Sequence, residues 1–318
     1  MQKQIFANLA LFLTALIWGL SFVAQRAGMD YVGPFTFNAV RSILGGFSLI
    51  PVIFLVKLFQ KDTRTKEIKH EQHKNIFQAG LFCGIALFTA ISIQQYSMQY
   101  VQAGKAGFIS ALYIIYVPLI SMFFGKRLDR NVKLSVAIAL IGLYLLCCTG
   151  LTSGFSFYDF LILVSAFFYG VHILVVSHFS GKINPVKVSC FQFFVVGILS
   201  SLLMILFEHP TLQGIIACKI PILYAGILTC GVAYTLQIFG QKYTIPTVAS
   251  IIMCTESVFA VIGGILILNE AITPRQILGC IFMICAVIIS EHKSKNKRLK
   301  KSRRMTLNQK IKKEFAKL

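Results

Sequence analysis

Charge is what this chain has least of, and acidic charge above all. Only 13% of its 318 residues are charged, with 11 Asp or Glu against 31 Lys or Arg. A soluble domain carries about a quarter charged residues. With 56% hydrophobic residues there is too little polar surface to cover a globule. That excludes an ordinary soluble enzyme, a disordered chain and a collagen. Paired cysteines are missing too. The nine Cys are odd in number, lie nearly all in apolar runs and never stand in C-x-x-C spacing. They read as small apolar filler, not as a disulfide scaffold or a metal site. No phosphate-binding Gly-rich loop exists, which excludes an ATP-driven pump. No H-E-x-x-H and no acidic cluster exist either, so no metal, cofactor or catalytic residue is expected.

Long apolar runs are what the chain does have. A bilayer-crossing helix needs about 20 mostly apolar residues. Ten runs qualify: 6–25, 34–56, 76–96, 103–124, 133–150, 157–179, 185–207, 219–240, 246–268 and 276–290. They are too long for barrel strands and lack the alternation of a membrane barrel. The first reads as a span and not as a signal peptide, since no small-residue cleavage site follows it. Most connections are short, leaving no room for a catalytic domain.

Lys and Arg set the expected orientation. Of the 31, 26 fall on one side of the alternation, and the others are Arg26, Arg41, Lys105, Lys219 and Arg275. Both termini are therefore expected in the cytoplasm of a multi-pass protein of the cell (plasma or inner) membrane. The +20 net charge becomes a topology signal, and no nucleic-acid partner is expected. In the tail, Leu307, Ile311, Phe315 and Leu318 alternate with lysines. That pattern fits either a short interfacial helix on anionic lipid or a solvated basic tail.

The halves resemble each other. Shifted by 151 residues, Thr14 to Gly19 falls on Ser165 to Gly170, Pro34 on Pro185, Arg41 on Gln192 and Gly46 on Gly197. After a shorter loop the shift becomes 143. Gln94 then meets Gln237, Tyr100 Tyr243, Ala106 Ala249 and Tyr113 Glu256. Five helices per copy is an odd number, so the second copy enters the membrane upside down. Inverted repeats place a substrate site near the midplane between the copies. The expected fold is all-α and integral to the membrane: ten transmembrane helices as two inverted five-helix repeats around a central cavity. The repeats are 1–150 and 151–292, followed by a basic cytoplasmic tail, 293–318.

Particular segments resemble a known family, the drug/metabolite transporter superfamily of EamA type. They are Leu16 to Ala24, Pro34 to Arg41, Ala106 to Pro118 and Ala249 to Glu256 running on to Glu270. The likeness covers about residues 6–290. The chain departs from the family pattern where Ser257, not Pro, follows Glu256, and where Lys126 and Arg127 replace an acid after the fourth run. The resemblance implies ten helices in a basket, moving small organic solutes.

Polar side chains inside apolar runs are costly and face a bundle or a wet cavity. Glu256 is the one acid well inside a run. It reads as a titratable site, the candidate for proton coupling, or else as a hydrogen-bonded structural group. Arg41 either snorkels, pairs with an acid, or binds a substrate carboxylate with its fork of donors. Thr14, Trp18, Ser21 and Gln25 share one helical face, and Ser165, Tyr169, His172 and Val176 occupy the matching places. Gln94 and Gln237 are repeat mates, and Tyr113 follows Ser110 on the fourth run. The expected substrate-binding set is Trp18, Ser21, Arg41, Gln94, Tyr113, Tyr169, His172 and Gln237.

A secondary carrier of a small organic metabolite is thus expected, working by alternating access, with protons a candidate coupling ion. By resemblance the solute is an amino acid or related compound, moved by export. Alternatives are an exporter of amphipathic drug-like compounds and, disfavoured by the absences above, an integral-membrane enzyme. A channel would need a continuous polar lining, which these sparse residues do not supply.

Overall fold

A computed structural model describes residues 2–59, 65–101, 103–147, 156–181, 183–268 and 273–290. The basic tail and its interfacial-helix pattern lie outside the described residues. Among the described residues the chain is helical throughout, without strands. The helices are α1 (Gln2–Gly28), α2 (Pro34–Phe59), α3 (Lys66–Ser97), α4 (Ala103–Ala111), α5 (Tyr113–Phe123), α6 (Arg130–Cys147), α7 (Phe157–Phe179), α8 (Pro185–Phe207), α9 (Leu212–Ala217) and α10 (Lys219–Leu223). A π-helical segment (Tyr224–Ala233) leads into α11 (Tyr234–Gln241), followed by α12 (Pro246–Met253) and α13 (Glu256–Leu268). The last described helix is α14 (Pro274–Ser290).

Eight of these helical stretches are long and apolar enough to cross a membrane. They match eight of the ten apolar runs, leaving 133–150 and 276–290. The first of these is α6, whose opening turns carry Arg130 and Lys133. The second, α14, is a shorter apolar helix. Three runs that look continuous in sequence are broken. The fourth is split at Leu112 between α4 and α5, the eighth changes to π geometry, and the ninth is split between α12 and α13.

Local chemistry fixes the helix ends. Ser156 and Asp159 form a reciprocal capping box at α7, with Ser156 N donating to Asp159 Oδ2 at 2.6 Å. Asn184 caps α8 ahead of Pro185. The start of α2 is held from elsewhere. Glu208, just past α8, accepts from the backbone N–H groups of Phe35 and Thr36 at 2.8 Å each, and from the Thr36 hydroxyl. A carboxylate belongs at a positive helix N-terminus. Glu208→Gln is expected to lower the melting temperature in detergent, costing about 1–2 kcal/mol for weakened charged hydrogen bonds. An unchanged melt would show that the clamp contributes nothing.

The outside of the bundle is apolar, with Phe6, Leu9, Phe54, Leu58, Ile205 and Phe207 among many exposed hydrophobics. Such a surface suits lipid. Inside, α2 packs on α8 and the π segment, and α3 on α7 and α8. Helix α1 packs on α11, α12, α13 and the π segment, while α4 and α5 pack on α7. Small residues permit the closest approaches. A methyl on Gly19 would stand 2.5 Å from the Glu256 carbonyl oxygen and 2.7 Å from Phe259 Cβ, so the approach of α1 to α13 at this point needs a glycine.

Candidate functional site

The three broken runs all bring residues to one place. Leu112 N donates to Ile109 O at 3.2 Å and Ile115 N to Leu112 O at 2.9 Å, a tightened turn that stops α4 and starts α5 at Tyr113. The same occurs before Glu256. Thr255 N donates to Ile252 O at 3.1 Å and its hydroxyl to the same oxygen at 2.7 Å, while Ser257 N donates to Cys254 O at 3.2 Å. The break at Glu256 thus forms with Ser257, and not a proline, after it. Three-residue turns and the Thr255 hydroxyl replace it. Tyr113 and Glu256, each the first residue after its break, then meet: Tyr113 Oη donates to Glu256 Oε1 at 3.2 Å. Beside them Cys254 Sγ donates to Ala111 O at 3.3 Å.

Around this junction lies a small cavity of about 50 Å³, room for a few waters. Seven of the nine expected residues line it: Trp18, Ser21, Arg41, Gln94, Tyr113, Tyr169 and Glu256. The π segment adds Thr229 and Cys230, a use of π geometry that recurs at functional sites. Gly226 and Gly231 let that segment lie against α2, where a methyl would stand 3.0 Å from Arg41 O and 2.7 Å from Ser48 Oγ respectively.

A hydrogen-bond chain organises one wall. Tyr169 Oη donates to Gln94 Oε1 at 2.6 Å, and Gln94 Nε2 donates to Ser110 Oγ at 2.6 Å. On another wall Thr229 Oγ1 donates to Ser21 Oγ at 3.0 Å, and Gln25 Nε2 donates to Ser21 Oγ at 3.2 Å. The Trp18 and Tyr234 rings lie 4.8 Å apart, and Phe193 packs edge-on to Tyr234 at 5.1 Å. Arg41 is 3% exposed, with its guanidinium 5.2 Å from the Phe37 ring.

His172 and Gln237 do not line the cavity. His172 is buried behind the wall, its Nε2 3.2 Å from Gln192 Oε1 and its ring 5.8 Å from Tyr234. Gln237 is wholly buried, with both amide atoms unpartnered. Sequence reasoning missed Phe22, Ile91, Phe193, Thr229 and Cys230. Phe193 carries no sequence signal. For Thr229 and Cys230 the flanking Gly226 and Gly231 mark a close helix approach, and that was the usable clue.

Apolar-coated helices around a buried cavity of mixed polar and aromatic lining are the build of a multi-pass membrane protein. The model of the EamA-like transporter family matches residues 5–148 and again 156–291, and the chain belongs to that family. An Archaeoglobus fulgidus protein named "Uncharacterized transporter" is 33% identical over 292 residues, covering 90% of this chain and 86% of its own. The Bacillus subtilis "Uncharacterized transporter YoaV" is 21% identical over 86% of this chain and 93% of its own. A crystal structure sharing 17% identity superposes with a TM-score of 0.72, covering 91% of this chain and 98% of that one, a likeness of fold.

Proposed function

We propose that the protein is a secondary active transporter that moves a small organic metabolite, an amino acid or related compound, out of the cell by alternating access. In this reading ten membrane helices form two inverted five-helix repeats, with both termini cytoplasmic. The observation that carries it is the bonding between repeat mates. Tyr113 and Glu256 are 143 positions apart, as are Ala111 and Cys254, and each pair is joined by a hydrogen bond. Equivalent residues touch each other only beside a pseudo-two-fold axis. The packing interchanges in the same way: α3 on α8 corresponds to α2 on the π segment, and α3 on α7 to α1 on α11. A family model that matches once in each half agrees with a duplication.

Two equivalent halves can exchange shapes, so that the cavity opens to each side in turn. In this structure the half of α1 nearest the basic side is sealed. Leu11 and Ala7 are buried, a methyl on Gly240 would stand 2.5 Å from Leu11 Cγ, and Gln4 Nε2 donates to Thr244 Oγ1 at 3.1 Å. Cavity-lining residues lie beyond that seal, at mid-helix or nearer the side poor in Lys and Arg.

Single Cys probes test the topology. With an impermeant reagent, a Cys at position 65 is expected to react only from the cytoplasm, and one at position 154 only from outside. Reaction of both from the same side removes the inverted-repeat reading. A thermal-shift screen against a metabolite library tests the substrate class, since a ligand at 100 times its Kd adds about 2.7 kcal/mol. Stabilisation by another class, and by no amino acid, removes the substrate reading.

A further inference from the structure

We infer that Arg41 is the anion anchor of the central cavity, and that the transported solute carries a carboxylate or similar planar anionic group on an aromatic or flat apolar body. The inference rests on the transporter reading and names its substrate class. Arg41 lines the cavity and is 3% exposed, so it does not snorkel to the surface. Among the described residues its guanidinium makes no hydrogen bond and no ion pair; its Nε is buried and unmet, and its central carbon lies 5.2 Å from the Phe37 ring centre. Glu256, the acid in the same lining, takes the Tyr113 hydroxyl instead. A buried guanidinium stays charged and is costly until its donors are met.

The other orphan in the lining is also a donor. Trp18 Nε1 is buried without a partner. The buried polar atoms of the lining left unmet, Arg41 Nε and Trp18 Nε1, therefore both call for acceptors. Comparison of the halves explains where the room comes from. In the second half His172 bonds Gln192. The mates in the first half are Ser21 and Arg41. Ser21 is too short to stand where an imidazole stands, and it bonds Gln25 and Thr229 instead. The second half fills its place from within, and the first leaves a forked cation for a ligand. Trp18, Tyr169 and Tyr234 supply flat walls beside it. A guanidinium fork matches a carboxylate through two parallel hydrogen bonds.

Trp18 is the only tryptophan in the chain and lines the cavity, so its fluorescence reports occupancy directly. Purified full-length protein is titrated with phenylacetate, phenylalanine and phenethylamine, which share a ring and differ in charge. Phenylacetate, phenylalanine or both are expected to change Trp18 emission saturably, and phenethylamine is not. Arg41→Gln is expected to weaken the carboxylate that binds about 10- to 100-fold, the value of charged hydrogen bonds. Arg41→Lys keeps the charge without the fork, and a loss of about tenfold is expected. It carries the test if Arg41→Gln fails to fold, as judged by unliganded emission and elution. The inference is overturned if phenethylamine binds as tightly as the carboxylates, if neither carboxylate perturbs Trp18, or if the folded Arg41 variants bind the carboxylate as tightly as wild type. Counterflow in proteoliposomes separates this from the carrier reading. Arg41-dependent binding of a carboxylate without its counterflow leaves the anchor and removes the carrier. Counterflow of the amine alone leaves the carrier and removes the anchor.

Discussion

Glu256→Gln is expected to abolish proton-driven accumulation in proteoliposomes while substrate exchange continues. A carrier without nucleotide machinery runs on a gradient or by exchange. Glu256 is the acid that lines the cavity, at the break where α13 begins. Its carboxyl bonds the phenol of Tyr113, with no Lys, Arg or His paired to it among the described residues. A neutral phenol tolerates either protonation state of its partner, so the proton can come and go without losing the contact. In alternating access the same carboxyl would be wetted from one side and then the other. A carboxyl whose surroundings alternate in this way binds and releases protons. Gln mimics the protonated acid, so the cycle can turn with substrate on both sides but carries no proton. The measurement is uptake with and without an imposed pH gradient, for wild type and variant. An unchanged response in Glu256→Gln removes Glu256 as the coupling site, and no response in wild type removes proton coupling altogether.

The all-helical type and eight of the ten expected runs were legible in the chain, because apolar length marks a span wherever it occurs. Helix continuity was not. The break before Glu256 comes from the Thr255 hydroxyl and three-residue turns, whereas sequence reading ties such a break to a proline. The π geometry of residues 224–233 likewise has no apolar signature, only the glycines that let it lie on α2. Much of the cavity was legible because lipid makes polar groups rare. Trp18, Ser21, Arg41, Tyr113 and Glu256 stood out for that reason. Burial alone does not separate a lining residue from a partner behind it, which is why His172 and Gln237 entered the same expected set. Phe193 is the converse, a lining residue with a chemistry shared by every core position.

Gln237 gives that second rank of residues a testable part in the proposed cycle, and replacing it is expected to stabilise this structure while slowing transport. Trp18 and Tyr169 are repeat mates, as are Gln94 and Gln237. One pair across the two halves is bonded, Tyr169 Oη to Gln94 Oε1 at 2.6 Å. In the other, Trp18 Nε1 and both amide atoms of Gln237 are buried and unpartnered. If the halves exchange shapes, the opposite state makes the Trp18–Gln237 bond and opens the Tyr169–Gln94 bond. Leaving buried polar groups unmet costs about 1–3 kcal/mol each. Gln237→Leu removes two such atoms from this state and a bond from the other. It is therefore expected to raise the melting temperature and to reduce exchange about tenfold or more, at about 1.4 kcal/mol per tenfold. Gln94→Leu acts the other way. It breaks the bonds to Tyr169 and Ser110, lowers the melting temperature and favours the opposite state. Cys230 lines the cavity and serves as a native reporter. Its modification by an impermeant thiol reagent from outside, read by peptide mapping, is expected to slow in Gln94→Leu and to hold or quicken in Gln237→Leu. Shifts of the same sign in both variants would mean that the two glutamines are packing elements and that no bond is exchanged between the halves.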